Sequence, residues 1–577
     1  MKQLLPFIKK YKWPFLLAPI LLVVDVIAEM FSPLLMSSIV DVGIANSDVN
    51  HILRMGLLMV LLCIVSVSTN VLSVVFAAKA SQGMGAELRK ALFCKIQSFS
   101  FGDIDGFSTS SLITRLTNDV ATVQQTAMMV TRMMVRAPIT MVTALIFALT
   151  IDAQLSLILL IAIPLLFLVV GLLIKKAFPL FGRMQQRLDN LNRVVQENLT
   201  GIRVVKSFNR AKEEEKKFEK ANGELTDTAI KAMEIITLAM PVVMLILNLA
   251  VVAVYWFGGH KVAFGTLLPG ELISFNSYIT QVLMSMMMLS MSIMMFARSR
   301  ASLSRVSEVL NKEASITDGP NEDAIVTFGK VEFRDVSFRY GEDAETDTLK
   351  NITFTAFPGE TVAIVGATGS GKSTLCQLIP RLYDVTGGSI LIDDVDVRSY
   401  TLKNLREGIS MVLQTNTLFS GTVESNLRWG SDAAGEDALK QALKDARADE
   451  FVEKLPEGTL AQVERGGLNF SGGQRQRLCI ARSLVRDPRI LILDDSTSAV
   501  DTTTEAAIRK ALNENHPNTT VFLVAQRISS VRGADRILVL DDGTIAESGT
   551  HESLMAGGRI YPEIYRSQLK GGEQDAE

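Results

Sequence analysis

The chain contains little cysteine and little net charge, and each shortage excludes a class of protein. Its four cysteines, Cys63, Cys94, Cys376 and Cys479, show no paired spacing and have no histidine close by. We therefore expect neither a disulfide framework nor a zinc site. The formal net charge is −3 over 577 residues. Such a balance is unlike the basic surface of nucleic-acid-binding proteins, so no nucleic-acid partner is expected.

Hydrophobic residues make up 48% of the chain, but they are distributed unevenly. Nearly all the long apolar runs lie in the first half, whereas the rest has the composition of a soluble α/β protein. A chain of this length is also too long for one compact core. We predict an all-α transmembrane domain over residues 1–310, a linker over 311–328 and a soluble α/β domain over 329–577.

Six stretches are long and apolar enough to cross a bilayer as helices of roughly 20 residues. They lie near 14–40, 53–79, 129–151, 155–178, 236–258 and 270–296. Lysine and arginine flank the spans on the side of the two long loops, so both termini and both loops are predicted to be cytoplasmic. The pattern indicates a multi-pass protein of the cytoplasmic membrane. Each long loop reads as a helical hairpin that reverses near 101–110 or 201–209, where a soluble domain could dock.

Asp25 and Glu29 lie one helical turn apart within the first predicted span. An acid at such a depth costs roughly 2.5–3.5 kcal/mol on insertion scales, so both side chains should face a cavity or a partner. One interpretation is a structural hydrogen bond to a neighbouring helix. The other is an acidic lining for a cationic or polar cargo, and the sequence leaves both open.

The sixth span is rich in methionine. Methionine stripes fill cores, but they also suit a surface that repacks around varied apolar ligands. The methionines considered as cargo contacts are Met284, Met287, Met288 and Met291.

A glycine-rich loop in the soluble half predicts ATP binding. It follows an apolar strand at 361–365 and precedes a helix that begins near Lys372, which is the context that a phosphate-binding loop requires. Backbone N–H groups of such a loop close on a phosphate, Lys372 adds a charge and Ser373 can bind Mg²⁺. The expected ATP contacts are Gly366, Ala367, Thr368, Gly369, Ser370, Gly371, Lys372, Ser373 and Thr374.

Two further segments complete the predicted site. A hydrophobic strand ends at Asp494 and Asp495, and Asp494 lies where such a strand would hold the water shell of Mg²⁺. Ser471, Gly472, Gly473 and Gln474 precede a helix, and a serine with two glycines at a helix N-terminus favours an anion. A second copy of the domain, facing head to tail, would let each such segment cap the other's nucleotide.

Together these motifs resemble an ABC transporter half of the exporter type, with the membrane domain and the ATPase in one chain. The resemblance covers nearly the whole length and implies an ABC nucleotide-binding domain with ATP and Mg²⁺. It implies that Tyr340 stacks on adenine and that Asp501 lies in the loop that crosses the dimer interface. It also implies that Gln414 senses the γ-phosphate and joins Ser373 and Asp494 at Mg²⁺.

Two residues depart from the family's pattern, and both belong to one site. Asp495 replaces the glutamate that serves as general base, and Gln526 replaces the histidine that contacts the γ-phosphate. The shorter acid withdraws its carboxylate, and glutamine cannot become cationic. Both changes predict a site that binds ATP and hydrolyses it poorly, while the intact segment at Ser471 can complete a competent site in another subunit.

The resulting interpretation is the degenerate-site half of a heterodimeric multidrug exporter. It would move amphipathic small molecules across the lipid bilayer together with a second half-transporter. One alternative is a homodimeric exporter of lipids, peptides or drugs in which Asp495 is a slow base. Another is an ATP-gated regulatory or channel-like protein, whose output is binding rather than turnover.

Overall fold

The structure is a computed structural model that describes residues 5–341, 346–496 and 499–574. It divides into two compact units. The first comprises residues 1–95 and 110–311, and the second comprises residues 96–109 and 312–577. The short segment 96–109 lies in sequence between the two parts of the first unit, but it packs with the soluble second unit.

Of the first ten helices in the described residues, six are long and the other four have only five or six residues. Two π-helical segments, Ile39–Ile44 and Arg115–Asp119, continue α2 and α5. The helices are α1 (Leu5–Lys9), α2 (Lys12–Ser38), α3 (Val49–Gln97), α4 (Phe101–Asp105), α5 (Thr109–Thr114), α6 (Val120–Ile151), α7 (Leu157–Thr200), α8 (Ile202–Ser207), α9 (Ala211–Ala263) and α10 (Pro269–Asn311).

Six helical stretches in the described residues are long and apolar enough to cross a membrane, which confirms the predicted number of spans. They are Lys12–Ile44, Val49–Gln97, Thr109–Ile151, Leu157–Thr200, Ala211–Ala263 and Pro269–Leu289. Several run well beyond a bilayer's thickness, so the two long loops of the sequence are continuations of the membrane helices. The reversals predicted in those loops are the short helices α4 and α8.

The second unit alternates strands with helices. Its strands are β1 (Val331–Phe338), β2 (Leu349–Ala356), β3 (Thr361–Gly366), β4 (Gly387–Ile392), β5 (Val395–Asp396), β6 (Ile409–Val412), β7 (Gly421–Thr422), β8 (Gln462–Val463), β9 (Ile490–Asp494), β10 (Thr520–Val524), β11 (Arg536–Asp541) and β12 (Thr544–Gly549). Its further helices are α11 (Lys372–Leu378), α12 (Leu402–Glu407), α13 (Val423–Leu427), α14 (Glu436–Asp445), α15 (Asp449–Val452), α16 (Gly472–Leu484), α17 (Thr502–Asn515), α18 (Ile528–Val531), α19 (His551–Gly557) and α20 (Ile560–Gln574).

The strands of the predicted α/β domain form two main sheets. A six-stranded sheet has the order β12-β11-β3-β10-β9-β6 and is parallel except for its edge strand β12. A four-stranded antiparallel sheet has the order β2-β1-β4-β5. Successive residues of β10 point to opposite faces of the larger sheet, so Phe522 enters one core and Leu523 the other. Burial on both faces explains the continuous apolar run of this strand.

Helix α4 packs within the second unit through polar and aromatic contacts. The Tyr383 hydroxyl donates to Asp105 at 2.6 Å, and the Tyr383 ring meets Phe101 edge to face at 6.1 Å. Asp103 accepts hydrogen bonds from the backbone N–H groups of Ser100 and Ser315, both at 3.0 Å. The predicted reversal near 101–110 is thus held by the domain that follows the membrane helices.

A charged cluster joins three membrane helices of the first unit. Arg136 on α6 donates to Asp25 at 2.7 Å and to Glu29 at 2.6 Å, so one guanidinium bridges both acids of α2. Ser66 and Asn70 on α3 donate to the same Asp25 carboxylate at 2.5 and 2.6 Å. The side chain of Asp25 is buried, and within the described residues its side-chain donors come from α3 and α6.

We expect Arg136→Gln to destabilise the membrane unit strongly. Loss of one partner leaves Asp25 as a buried carboxylate without its counter-ion, which typically costs about 3–5 kcal/mol. Thermal unfolding of the purified full chain measures the effect. The double variant Asp25→Asn with Arg136→Gln should recover much of the lost stability, because it removes the stranded charge. Arg193→Gln, which breaks an exposed pair with Glu197 on α7, is the matched control and should change little. A single variant that melts like the wild type would contradict the bridging role.

Candidate active site

The loop between β3 and α11 requires glycine at two positions. Gly366 has φ +153° and Gly371 has φ +96°, and both values favour a residue without Cβ. A Cβ on Gly366 would lie 2.2 Å from the Leu540 carbonyl oxygen, and a Cβ on Gly371 would lie 2.7 Å from Leu349 Cδ2. Any side chain at these two positions would collide with the neighbouring backbone or core. The loop can therefore follow its course around the cavity only with glycine there.

Lys372 and Ser370 place an ammonium group and a hydroxyl group inside this loop. Lys372 Nζ donates to the carbonyl oxygens of Gly366 at 3.0 Å and Ala367 at 2.7 Å, which holds the ammonium within the turn. Burial lowers the pKa of Lys372, and the nearby Asp495 and Asp494 oppose that shift. The buried Ser370 Oγ has no hydrogen-bond partner among the described residues. A polyphosphate fits both features, since it would accept from the hydroxyl and pair with the ammonium.

The cavity around the loop measures about 830 Å³, within the size range of cofactor sites. Most of the residues predicted to bind ATP line it, together with parts of α20 that the sequence did not indicate. The predicted residues on its wall are Tyr340, Gly366, Ala367, Thr368, Gly369, Gly371, Lys372, Ser373, Thr374, Gln414, Asp494, Asp495 and Gln526.

Ser373 and Asp494 lie together, as a Mg²⁺ site beside a phosphate requires. Ser373 Oγ donates to Asp494 Oδ1 at 2.8 Å. Asp494 ends strand β9 and is buried, and this burial, followed by the adjacent Asp495 charge, raises its pKa. Hard oxygen donors of this kind suit Mg²⁺ held partly by ATP phosphates, so the residues present fit the ion.

Asp495 is engaged by two side-chain amides. Its backbone has φ +48°, in the left-handed region, and its Oδ2 accepts from Gln526 Nε2 at 2.8 Å. Gln414 also hydrogen-bonds to this carboxylate. Burial raises the pKa of Asp495, whereas the hydrogen bonds from Gln526 and Gln414 lower it in part. The structure thus brings together the three residues that the sequence analysis assigned to hydrolysis, Asp495, Gln526 and Gln414.

Gln568 on α20 lines the cavity, and the sequence did not indicate it. Its Nε2 donates to the Gln526 carbonyl oxygen at 2.7 Å, and its Oε1 accepts from the Ile528 N–H at 2.8 Å. One amide therefore holds the backbone on both sides of Arg527, directly after Gln526. No local motif marks it, because its role depends on where a distant helix packs.

Tyr340 stands at the predicted adenine end of the cavity. Its hydroxyl is 2.9 Å from Thr374 Oγ1, and burial raises its pKa. Its ring meets Tyr383 edge to face, with centroids 5.3 Å apart, so Tyr383 positions it from behind. The Tyr340 side chain is still 43% exposed, which leaves surface for stacking on a base.

The segment at Ser471 lies apart from the cavity of its own chain. Ser471 is the N-cap of α16: its Oγ accepts from the Gln474 N–H at 3.3 Å, and Gln474 Oε1 accepts from the Ser471 N–H at 2.9 Å. A Cβ on Gly473 would lie 2.8 Å from the Ala499 carbonyl oxygen, whereas Gly472 and Ser471 are exposed. The helix begins at Gly472, three residues earlier than the sequence indicated. Its exposed start is available to another molecule.

Asp501 caps a helix of its own chain. It accepts from the Thr504 backbone N–H at 2.9 Å and from the Thr504 hydroxyl at 2.7 Å, and these bonds lower its pKa. Ser498, which the sequence grouped with it in an interface loop, lies outside the described residues.

The cargo candidates of the membrane unit differ in their surroundings. Met284 is 48% exposed, and Met287 and Met288 are partly buried. The side chain of Met291 lies outside the described residues. Asp25 and Glu29 are both bound by Arg136, so the mutual repulsion expected of two neighbouring carboxylates is offset by a cation from α6.

Family models match both halves of the chain. The ABC transporter transmembrane region matches residues 15–286, and the ABC transporter domain matches residues 349–498. In structure, the chain is similar to a bacterial Atm1-family ABC exporter with ATP bound, with a TM-score of 0.81 and 26% identity over 96% of this chain and 98% of that one.

Three relatives illustrate the breadth of the likeness. The Bacillus subtilis ABC transporter ATP-binding protein YfiB is 40% identical over 99% of both chains. The putative multidrug export ATP-binding/permease protein YgaD of Bacillus subtilis is 34% identical over 98% of this chain and 99% of its own. The ATP-dependent lipid A-core flippase of Syntrophus aciditrophicus is 33% identical over 85% of this chain and 81% of its own.

Asp494→Asn should stabilise the nucleotide-free protein while it weakens nucleotide binding. The pKa of Asp494 is raised above its ordinary value of 3.8, so the folded state binds more protons than the unfolded state just above that pH. The free energy of unfolding therefore falls as the pH rises from 3.8 through the raised pKa, and the full cost is present at neutral pH. We expect a rise of about 2–4 °C in the melting temperature of the soluble domain's transition at pH 7.

The same variant should lose most of the stabilisation that Mg²⁺ and ATP give the wild type. Differential scanning calorimetry of the full chain, with and without both ligands, measures both effects. Asp432→Asn, at an exposed loop carboxylate, is the control and should alter neither quantity. A nucleotide-free Asp494→Asn protein that melts lower than the wild type would show that the carboxylate stabilises the fold.

Proposed function

The chain belongs to the ABC transporter family, and on that premise we propose that it is the slowly hydrolysing half of a heterodimeric exporter. It is a multi-pass membrane protein whose cytoplasmic domain binds ATP and couples it to transport, and exporters of this family work as dimers. The observation that carries the finer proposal is the pairing of Asp495 with Gln526 at 2.8 Å. The cargo we propose is an amphipathic small molecule.

The geometry at Asp495 disfavours water activation. An aspartate carboxylate lies about 1.5 Å, one C–C bond length, short of a glutamate carboxylate on the same backbone. A misplacement of about 1 Å can cost roughly a hundredfold in rate. The carboxylate also accepts from Gln526 and Gln414, which compete with a water for its lone pairs. Gln526 can donate to a phosphate but adds no positive charge there.

The rest of the site is equipped to bind. Lys372 and the loop N–H groups would hold the phosphates, Tyr340 the base, and Ser373 with Asp494 the Mg²⁺ that normally accompanies ATP. When bound, Mg²⁺ shields the negative charge of the phosphates. The exposed Ser471 segment, whose capping box is complete, would then serve the catalytic site of a second subunit. Binding at this site with turnover at the other is the asymmetric cycle we propose.

The membrane unit and the relatives support amphipathic cargo. The relative YgaD is named for multidrug export and the Syntrophus aciditrophicus protein for flipping lipid A-core. The partly exposed Met287 and Met288 and the exposed Met284 suit apolar groups of varied shape. A homodimer with Asp495 as a slow base is the second candidate, because this carboxylate does line the cavity.

The purified chain alone should hydrolyse ATP at least about tenfold more slowly than the chain co-purified with its partner half-transporter. The physical reason is the engaged and short Asp495 in every site that the chain can form by itself. Steady-state phosphate release from protein in lipid nanodiscs measures both rates. Equal turnover with and without the partner would favour the homodimer.

Asp495→Glu combined with Gln526→His should raise hydrolysis by the chain alone, by up to about a hundredfold. The longer acid reaches water, and histidine can carry charge to the phosphate. Gln526→His alone is the matched control, since it frees the Asp495 carboxylate without lengthening it, and should give much less. No gain from the double variant would mean that some other feature limits this site.

Ser471→Arg should abolish most hydrolysis by the heterodimer, whereas Asp495→Ala should cost far less. The arginine would block the exposed start of α16, which we place against the partner's nucleotide. Ser471→Ala is the control for lost capping, which costs about 0.5–2 kcal/mol of stability without added bulk. The opposite ranking of Ser471→Arg and Asp495→Ala would assign the competent site to this chain.

A further inference from the structure

Helix α6 carries two arginines one turn apart, and the structure treats them differently. Arg136 is neutralised by the two acids of α2, Asp25 and Glu29. Arg132 has no carboxylate within 4.0 Å among the described residues of the chain. Its one side-chain hydrogen bond within the described residues runs from Nη2 to Asn70 Oδ1 at 3.3 Å, a long contact to a neutral amide.

The guanidinium of Arg132 is incompletely satisfied. It offers five N–H donors, yet its Nε is buried without a hydrogen-bond partner in the described part of the chain. The residue as a whole is partly exposed, so a ligand can reach the remaining donors. A membrane-embedded arginine is costly unless it meets an anion, water or carbonyl oxygens. An acidic group of a ligand would therefore supply the negative charge and the hydrogen-bond acceptors that the described residues do not give Arg132.

The surface beside Arg132 is apolar and adaptable. Met128 lies one turn earlier on the same face of α6 and is partly exposed, and Met133, the next residue along the helix on the adjoining face, is 46% exposed. Methionine side chains are flexible and polarizable and accommodate varied apolar shapes. A cation beside methionines matches a molecule with an acidic head and an apolar tail.

Both acids of α2 are already paired with a cation. Asp25 accepts from Arg136, Ser66 and Asn70, and it is buried. Glu29, whose side chain is 42% exposed, pairs with the same Arg136. The sequence left open whether these acids line a path for cationic cargo or bond to a neighbouring helix. Their pairing with Arg136 favours the bond between helices.

We propose that Arg132 binds the acidic headgroup of an amphipathic ligand while the exposed methionines of α6 contact its tail. This inference rests on the proposed export of amphipathic molecules and narrows the cargo to acids, such as long-chain carboxylates or alkyl phosphates. The bond is a charge-assisted hydrogen bond from the guanidinium to a carboxylate or phosphate oxygen. The ligand comes either from the bilayer itself, as an anionic lipid, or from the transported pool.

A binding measurement without ATP tests the site separately from transport. The full assembly is placed in phosphatidylcholine nanodiscs, and two fluorescent probes with the same twelve-carbon tail are titrated, one ending in a carboxylate and one in a trimethylammonium. The wild type should bind the carboxylate more tightly. Arg132→Gln should weaken carboxylate binding by about tenfold or more and leave the trimethylammonium probe unchanged.

Two further variants control for folding and for general charge. Arg132→Lys keeps the positive charge and should retain part of the carboxylate affinity. Arg54→Gln removes an exposed arginine of α3 outside the cluster and should behave like the wild type. Equal carboxylate affinity in the wild type and Arg132→Gln would overturn the proposal, as would tighter binding of trimethylammonium by the wild type. The comparison of the two probes on the wild type needs no variant, so it remains valid even if Arg132→Gln fails to fold.

The lipid composition of the discs distinguishes the two sources of ligand. If phosphatidylglycerol discs abolish carboxylate binding by the wild type, the natural occupant is a bilayer lipid. If binding persists there, the site takes a cargo molecule in preference to lipid. Because no nucleotide is present, loss of ATP-driven export would leave this result intact, and failure of anion binding would leave the ATPase proposal intact.

Discussion

The parallel pairing of β3, β10 and β9 is the constraint on which the nucleotide site depends. In register, Ile364 lies beside Val524, and Val524 lies beside Asp494. Parallel strands end at the same edge of a sheet, so the phosphate loop after β3, the acids at the end of β9 and Gln526 after β10 meet there without long side chains. On the proposed function, the register also limits the chemistry, because it fixes the backbone position from which the shorter Asp495 carboxylate must reach.

The local parts of this site were predictable, and the long-range parts were not. The glycine loop, the acids at the end of β9 and six membrane spans follow from short patterns. Strand β2 was missed because it mixes lysine, asparagine and threonine with its buried residues, as half-exposed strands do. The second sheet was missed with it. Arg136 and Gln568 meet partners that are distant in sequence or belong to another element's backbone, and no local pattern encodes such a pairing.

Two pairs of neighbouring acids among the described residues are stabilised in different ways. In the membrane unit, Asp25 and Glu29 share the guanidinium of Arg136. At the nucleotide site, burial raises the pKa of Asp494 and of Asp495, and the charge of Lys372 opposes this shift. The first arrangement is complete without a ligand and joins helices. The second leaves room for a divalent cation, whose charge would stabilise both carboxylates.

Amides, rather than charged groups, govern the position of Asp495. Gln526 and Gln414 donate to it, and Gln568 holds the backbone that directly follows Gln526. Neutral donors fix a carboxylate in place while changing its basicity less than a cation would. These amides also occupy acceptor positions of the carboxylate that a water would otherwise use. On the proposed function, this competition is what restrains hydrolysis at the chain's own site.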